Sequence, residues 1–152
     1  MQHLFKAGLL AVLLWLPIIS LAACPGLDPY QPGSDPDWET LRLRLAEFRL
    51  DCLDNSEFFA IYGAAQLNTG QLSEAIESLE LSLLLNPENG AALIDYAQAL
   101  IQDGQLFAAI SANDLLLERE DIPPNLASQV TQRQENWRSL TRQTIWQVDV
   151  TG

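Results

Sequence analysis

The sequence predicts an all-helical fold of stacked helical hairpins, on the strength of three observations. Laid on itself with an offset of 34 residues, the chain aligns Tyr62 with Tyr96, Ala65 with Ala99, Gly70 with Gly104, Gln71 with Gln105, Leu72 with Leu106, Ala75 with Ala109 and Ile76 with Ile110. A period of that length is the mark of a helix-turn-helix array. Both copies carry the same punctuation: an apolar helical stretch, a glycine, and a second apolar stretch closed by a turn. Apolar residues at spacings of three and four flank the two copies on either side, as capping helices would.

The first residues belong to another compositional class. Lys6 is the only lysine and no acidic residue precedes Asp28. The apolar run Ala7 to Ala23 follows one cationic residue and ends in small residues, which reads as a signal peptide over 1–23. A permanent membrane helix is disfavoured because the run is short for a bilayer and Pro17 interrupts it. Pro25, Gly26, Pro29, Pro32, Gly33 and Pro36 then make 24–36 a Pro-rich linker, read as an extended tether. The helical domain is expected over 37–143, with caps at 37–53 and 124–143 around repeats 56–89 and 90–123.

In the first cap, Trp38, Leu41, Leu45, Phe48 and Cys52 form one stripe, and Leu43 with Leu50 a second that suggests cover on two sides. Within the copies, Gly70 and Gly104 supply left-handed helix ends, Ser73 is placed to cap the following helix, and Pro87 stops it. Pro123 and Pro124 precede a last helix carrying Leu126, Val130, Trp137 and Leu140. Over 144–152 the pattern changes to alternation, with Trp146, Val148 and Val150 on one face, which predicts a short strand.

These residues resemble the tetratricopeptide repeat (TPR) family. The first copy supplies its packing positions as Phe59, Tyr62, Gly63, Gly70, Ala75, Leu79 and Pro87, and the second as Leu93, Tyr96, Ala97, Gly104 and Ala109. Gly63, Ala97, Ala75 and Ala109 are small because two helices cross there at close range. Three positions depart from the family pattern: Gln66 stands where an aromatic is usual, Ser82 where alanine is usual, and Asn113 replaces a large apolar residue. A buried amide needs a partner, and for Asn113 the following helix is the expected one.

The resemblance implies a concave surface lined by the first helix of each copy. Its lining would be Glu57, Ala60, Ala64, Leu67 and Asn68, then Ala91, Ile94, Gln98, Ile101 and Gln102. That mixture suits an extended or helical segment of another envelope protein, unless the protein's own linker or tail fills it. From Asp51 to Asp121 there are 13 acidic residues and one basic residue, Arg119, so nucleic acid is not an expected partner. The bias reads as a solvated outer surface, with attraction of a basic partner as the functional alternative.

Cys24 admits two readings. Leu21-Ala22-Ala23-Cys24 resembles the lipobox of bacterial lipoproteins, which implies a diacylated Cys24 and membrane attachment through lipid. A cut after Ala22 instead leaves two cysteines in an oxidising compartment, where Cys24 pairs with Cys52. The alternating tail gives the chain a looser likeness to the N-terminal periplasmic region of outer-membrane barrel proteins of the surface lipoprotein assembly modifier type. That likeness implies a receiver segment of a translocator.

Catalysis is not expected. His3 is the single histidine and lies in the signal, which leaves no His-based triad or His-rich metal site afterwards. No Gly-rich phosphate loop is present, so no cofactor and no small-molecule substrate are expected. The sequence reading is an exported, non-catalytic scaffold of the periplasm or outer membrane, with a plain structural spacer as the alternative that binds nothing.

Overall fold

A computed structural model describes Cys24, Leu27 and residues 35–151, with side chains as far as position 142. The expected signal peptide 1–23 and most of the linker lie outside the described residues. The rest is all-helical: α1 (Trp38–Phe48), α2 (Ser56–Asn68), α3 (Leu72–Leu85), α4 (Gly90–Gln102), α5 (Leu106–Leu117) and α6 (Pro124–Thr151). α2 packs on α3 and α4 on α5, while α3 meets α4, α5 meets α6, α1 lies on α2, and α2 also touches α4.

The 34-residue offset extends beyond the two copies. α2, α4 and α6 begin at Ser56, Gly90 and Pro124, and α1, α3 and α5 at Trp38, Leu72 and Leu106, each series stepping by 34. The flanking helices are therefore half-copies in register with the repeats. Hydrogen bonds repeat at the same interval. Asn55 accepts from the Phe58 amide at 2.8 Å and Asn89 from the Ala92 amide at 3.1 Å, each side chain capping a first helix. The Gln71 amide donates to Gln66 carbonyl at 2.9 Å and the Gln105 amide to Leu100 carbonyl at 2.8 Å, closing the intra-pair turns. Gly70 and Gly104 make those turns with φ of 79° and 83°, a conformation that costs a residue with a Cβ about 1 kcal/mol or more.

Close approach explains the small residues. A Cβ on Gly63 would lie 2.6 Å from Leu79 Cγ and 3.3 Å from the Ala75 carbonyl oxygen. At the matching positions the second copy has Ala97 and Asn113, a larger and a slimmer residue in exchange. Leu79 is fully buried and has little room to retreat. Gly63→Ala is accordingly expected to destabilise by about 1–2 kcal/mol, overpacking outweighing the roughly 1 kcal/mol of helix propensity it gains. Urea unfolding checks this, and a stabilised variant would show that the crossing is looser than the distances imply.

Four expectations need correction. Ser73 does not cap α3: the helix begins at Leu72 behind Gln71, with no side-chain cap bond, so Ser73 is already inside it. Leu43 and Leu50 are not covered on a second side, being 53% and 73% exposed; α2 is the one described helix whose backbone comes close to α1. The linker does not start as a free tether. Cys24 is buried and Leu27 packs beside it against a core of Leu41, Leu45, Cys52, Phe58 and Ile61. Finally, the strand expected in 144–152 is absent, for α6 runs on to Thr151. A lone strand has no ladder to join among the described residues, whereas a helix satisfies its own backbone. The likeness to barrel-linked proteins loses the alternating segment that suggested it.

Candidate functional site

The expected concave lining divides into an occupied half and an open half. On α2, Ala60, Ala64 and Leu67 are buried, and Ala60 and Leu67 belong to a core shared with Ala92 and Ala99 of α4. Only Glu57 and Asn68 of that set reach solvent freely, because the neighbouring helix has taken the surface. On α4 the lining is more accessible. Ala91 and Gln102 are exposed, and Ile94, Gln98 and Ile101 half-buried. Ala91 and Ile94 face Leu116, Ile122 and Leu126 across a cleft of about 350 Å³ between α4 and the start of α6.

Arg119 closes one edge of this cleft. Its guanidinium bonds Asp121 at 2.7 Å and Glu88 at 3.3 Å, tying the end of the second copy to the turn before α4. The carboxylates hold the Arg119 pKa up, and Arg119 in turn holds that of Asp121 down.

Deeper along α4 sits Asp95, whose pKa is pushed to about 6 by burial, with Arg133 of α6 opposing the rise. Arg133 lies over the Trp137 ring, 5.0 Å from its centroid, a cation–π contact. Its Nε donates to Asn113 Oδ1 at 3.0 Å and its Nη2 to the same oxygen. Burial pulls the Arg133 pKa down while Asp95 raises it. On the outer side, Tyr96 donates to Glu80 at 2.7 Å, and desolvation with that bond lifts the phenol to about 12.

Two departures from the repeat pattern are explained by partners. Ser82 donates to the Ser56 carbonyl at 2.8 Å, and Ser56 donates to the Ser82 carbonyl at 3.0 Å. Asn89 lies 3.4 Å from both hydroxyls, so the end of α3 is latched to the starts of α2 and α4. Asn113 donates to the Val130 carbonyl at 3.0 Å and to Gln134 Oε1 at 2.8 Å, meeting the expectation that the following helix satisfies it. Gln66 is different: it is 4% exposed and its amide oxygen has no hydrogen-bond partner.

The packing positions behave as a core. Phe59, Tyr62, Gly63, Ala75, Leu79, Leu93, Ala97 and Ala109 are buried and Tyr96 half-buried; Pro87, in the turn, is exposed. At the other end of the array Cys24 and Cys52 are joined as a disulfide, their Cα atoms 5.4 Å apart.

Sequence reasoning missed two features: the Asp95–Arg133 juxtaposition, and a second cleft between α1 and α3 floored by Gln66. The first had no signal in spacing, since its residues are 38 positions apart on different helices. The second had one, the amide in a core position. Among the described residues no cluster of His, Cys, Asp or Glu is placed to hold a metal, and no helix is long and apolar enough to cross a membrane. No family model and no curated protein matches the chain.

Proposed function

We propose that the chain is a non-catalytic scaffold of TPR type, exported to the bacterial envelope, which holds a segment of another protein against α4 and α6. The observation that carries this reading is the 34-residue register of all six helices, down to the asparagine caps and positive-φ glycines. Such an array places the first helices side by side and leaves one face of them for a ligand. The cleft lined by Ala91, Ile94, Ile122 and Leu126 offers apolar contact, and half-buried Gln98 follows about one helical turn after Ile94 on α4. An extended strand or an amphipathic helix fits that combination.

Export is supported by the signal-like 1–23 and by the Cys24–Cys52 pairing, which belongs to an oxidising compartment. The same thiol cannot carry a diacylglycerol and a disulfide at once. We therefore favour a periplasmic protein bridged at Cys24 over one anchored there by lipid.

Site-specific photo-crosslinking in the native envelope tests the groove. A benzophenone side chain in place of Gln98 is expected to capture one defined partner, and the same group in place of Ser73, exposed on α3, to capture none. Equal capture at both positions, or none at Gln98, would reject a groove-bound partner and leave a structural spacer.

A further inference from the structure

The position of Gln66 recurs 34 and 68 residues on as Leu100 and Gln134. Gln134 shows what a glutamine needs there. Its Oε1 accepts from Asn113, and its Nε2 donates to Asp114 Oδ1 at 2.5 Å and to the Ile110 carbonyl at 3.3 Å. All three partners stand on the preceding helix, α5. On α1, which precedes Gln66 in the same register, the places of Asn113 and Asp114 are taken by Leu45 and Ala46, which offer no polar side-chain atom. The Gln66 amide oxygen is left buried and unpaired as a result. A leucine would avoid the desolvation cost of such an orphan, as Leu100 does in the next copy.

The vacancy beside Gln66 is a cleft. It has a volume of about 280 Å³ between α1 and α3, with Phe59, Tyr62 and Gln66 of α2 as its floor and Ala46 on one wall. Glu74, Glu77 and Ser78 form the α3 wall, and Arg49 stands at the end of α1. The carboxylates are peculiar to this step of the array, since the next copy has Ala108 and Ser111 in their places. Gln66, whose amide oxygen is unpaired, thus shares the cleft lining with two acidic residues and two aromatic ones, a combination that calls for a donor-rich cation.

We propose that this cleft receives an arginine side chain of a basic partner polypeptide. A guanidinium carries five donors in a plane, enough to reach the Gln66 oxygen and a carboxylate together, and it stacks on aromatic faces. The excess of acidic residues between Asp51 and Asp121 draws a basic polypeptide toward this surface. Arg49 lines the rim with no ion pair among the described residues, and Arg42, near enough to Glu74 to feel its charge, is held by Glu39 at 2.6 Å. The α2 residues of this cleft, Phe59, Tyr62 and Gln66, are not those that share a core with α4, so the site stands whether or not the groove holds a partner.

The test is a titration of the ¹⁵N-labelled protein with an uncharged-flank peptide, acetyl-Gly-Ser-Arg-Gly-Ser-Arg-amide, and with its citrulline counterpart. Amide shifts confined to Tyr62, Gln66, Glu77, Ser78 and their neighbours are expected from the arginine peptide alone. Affinity is expected to fall at least fivefold in Gln66→Leu and in the Glu74→Gln/Glu77→Gln pair. Gln66→Leu should keep or raise the thermal midpoint, because it adopts the residue of the next copy, so loss of binding there is not loss of fold. Undiminished binding by Gln66→Leu, shifts spread over the whole surface, equal response to citrulline, or equal affinity for free agmatine would each overturn the proposal.

Discussion

Reducing the Cys24–Cys52 bond is expected to lower stability by about 3–4 kcal/mol, the loop-closure value for a separation of 28 residues. The bond does more than close a loop. Cys52 is fully buried at the turn between α1 and α2, and Cys24 brings Leu27 onto the core that holds Leu41, Leu45 and Phe58. Without the covalent tie, that short segment must be held by two apolar side chains against the entropy of every residue around them. Urea unfolding with and without reductant, and of Cys24→Ser/Cys52→Ser, should give matching losses. Intact mass supplies the contrary outcome: a diacylated Cys24 with a free Cys52, and a urea midpoint indifferent to reductant, would replace the bridge with a lipid anchor.

The parts of this fold that were legible in the sequence are those where identity is enforced by backbone geometry or by contact distance. Gly70 and Gly104 recur because φ near 80° excludes most residues, and Ala75 and Ala109 recur because neither has any exposed surface to spare. The membership of α1 and α6 in the same register was hidden for the opposite reason. Leu45, Leu79 and Asn113 occupy one repeating position, as do Gln66, Leu100 and Gln134, and in each set volume or hydrogen bonding is exchanged with a neighbour. Self-alignment counts identities and passes over exchanges of this kind. The lining was only half legible for a related reason. Ala60 and Leu67 look like groove residues from their spacing, but a small or aliphatic side chain serves equally to seat the next helix. The C-terminal alternation misled because a period of two specifies a strand only where a neighbouring strand exists.

Three of the buried polar residues, Ser82, Asn113 and Gln134, sit at the joints between successive copies. Ser56, Ser82 and Asn89 bind α3 to the helices on either side of it, and Asn113, Asp114, Arg133, Gln134 and Arg138 bind α5 to α6. Apolar faces of repeated helices fit one another in several registers, whereas these bonds form in one. The polar joints therefore set the stacking order, and the Asn113 joint also fixes Arg133, which lies over the Trp137 ring.

Asp95→Asn is expected to stabilise the protein at pH 7.5 by about 2–3 kcal/mol, and the gain should shrink to about 0.5 kcal/mol at pH 4. The sign follows from burial. The carboxyl pKa stands at about 6 in the fold against 3.8 for the unconstrained group, so the folded chain binds the proton more tightly than the unfolded chain. The stability due to neutral Asp95 is complete below pH 3.8 and is lost as pH rises through 6; above that, the fold carries a desolvated charge that an amide of the same shape avoids. Arg133 is the charged group that opposes the rise, and its bonds to Asn113 and its contact with Trp137 do not involve the Asp95 carboxyl. Parallel urea titrations of both proteins from pH 4 to 8 measure the difference directly. A variant less stable than the parent at pH 7.5 would show that Asp95 is ionised to hold Arg133, whose place on α6 would then depend on an ion pair as well as on the Asn113 network.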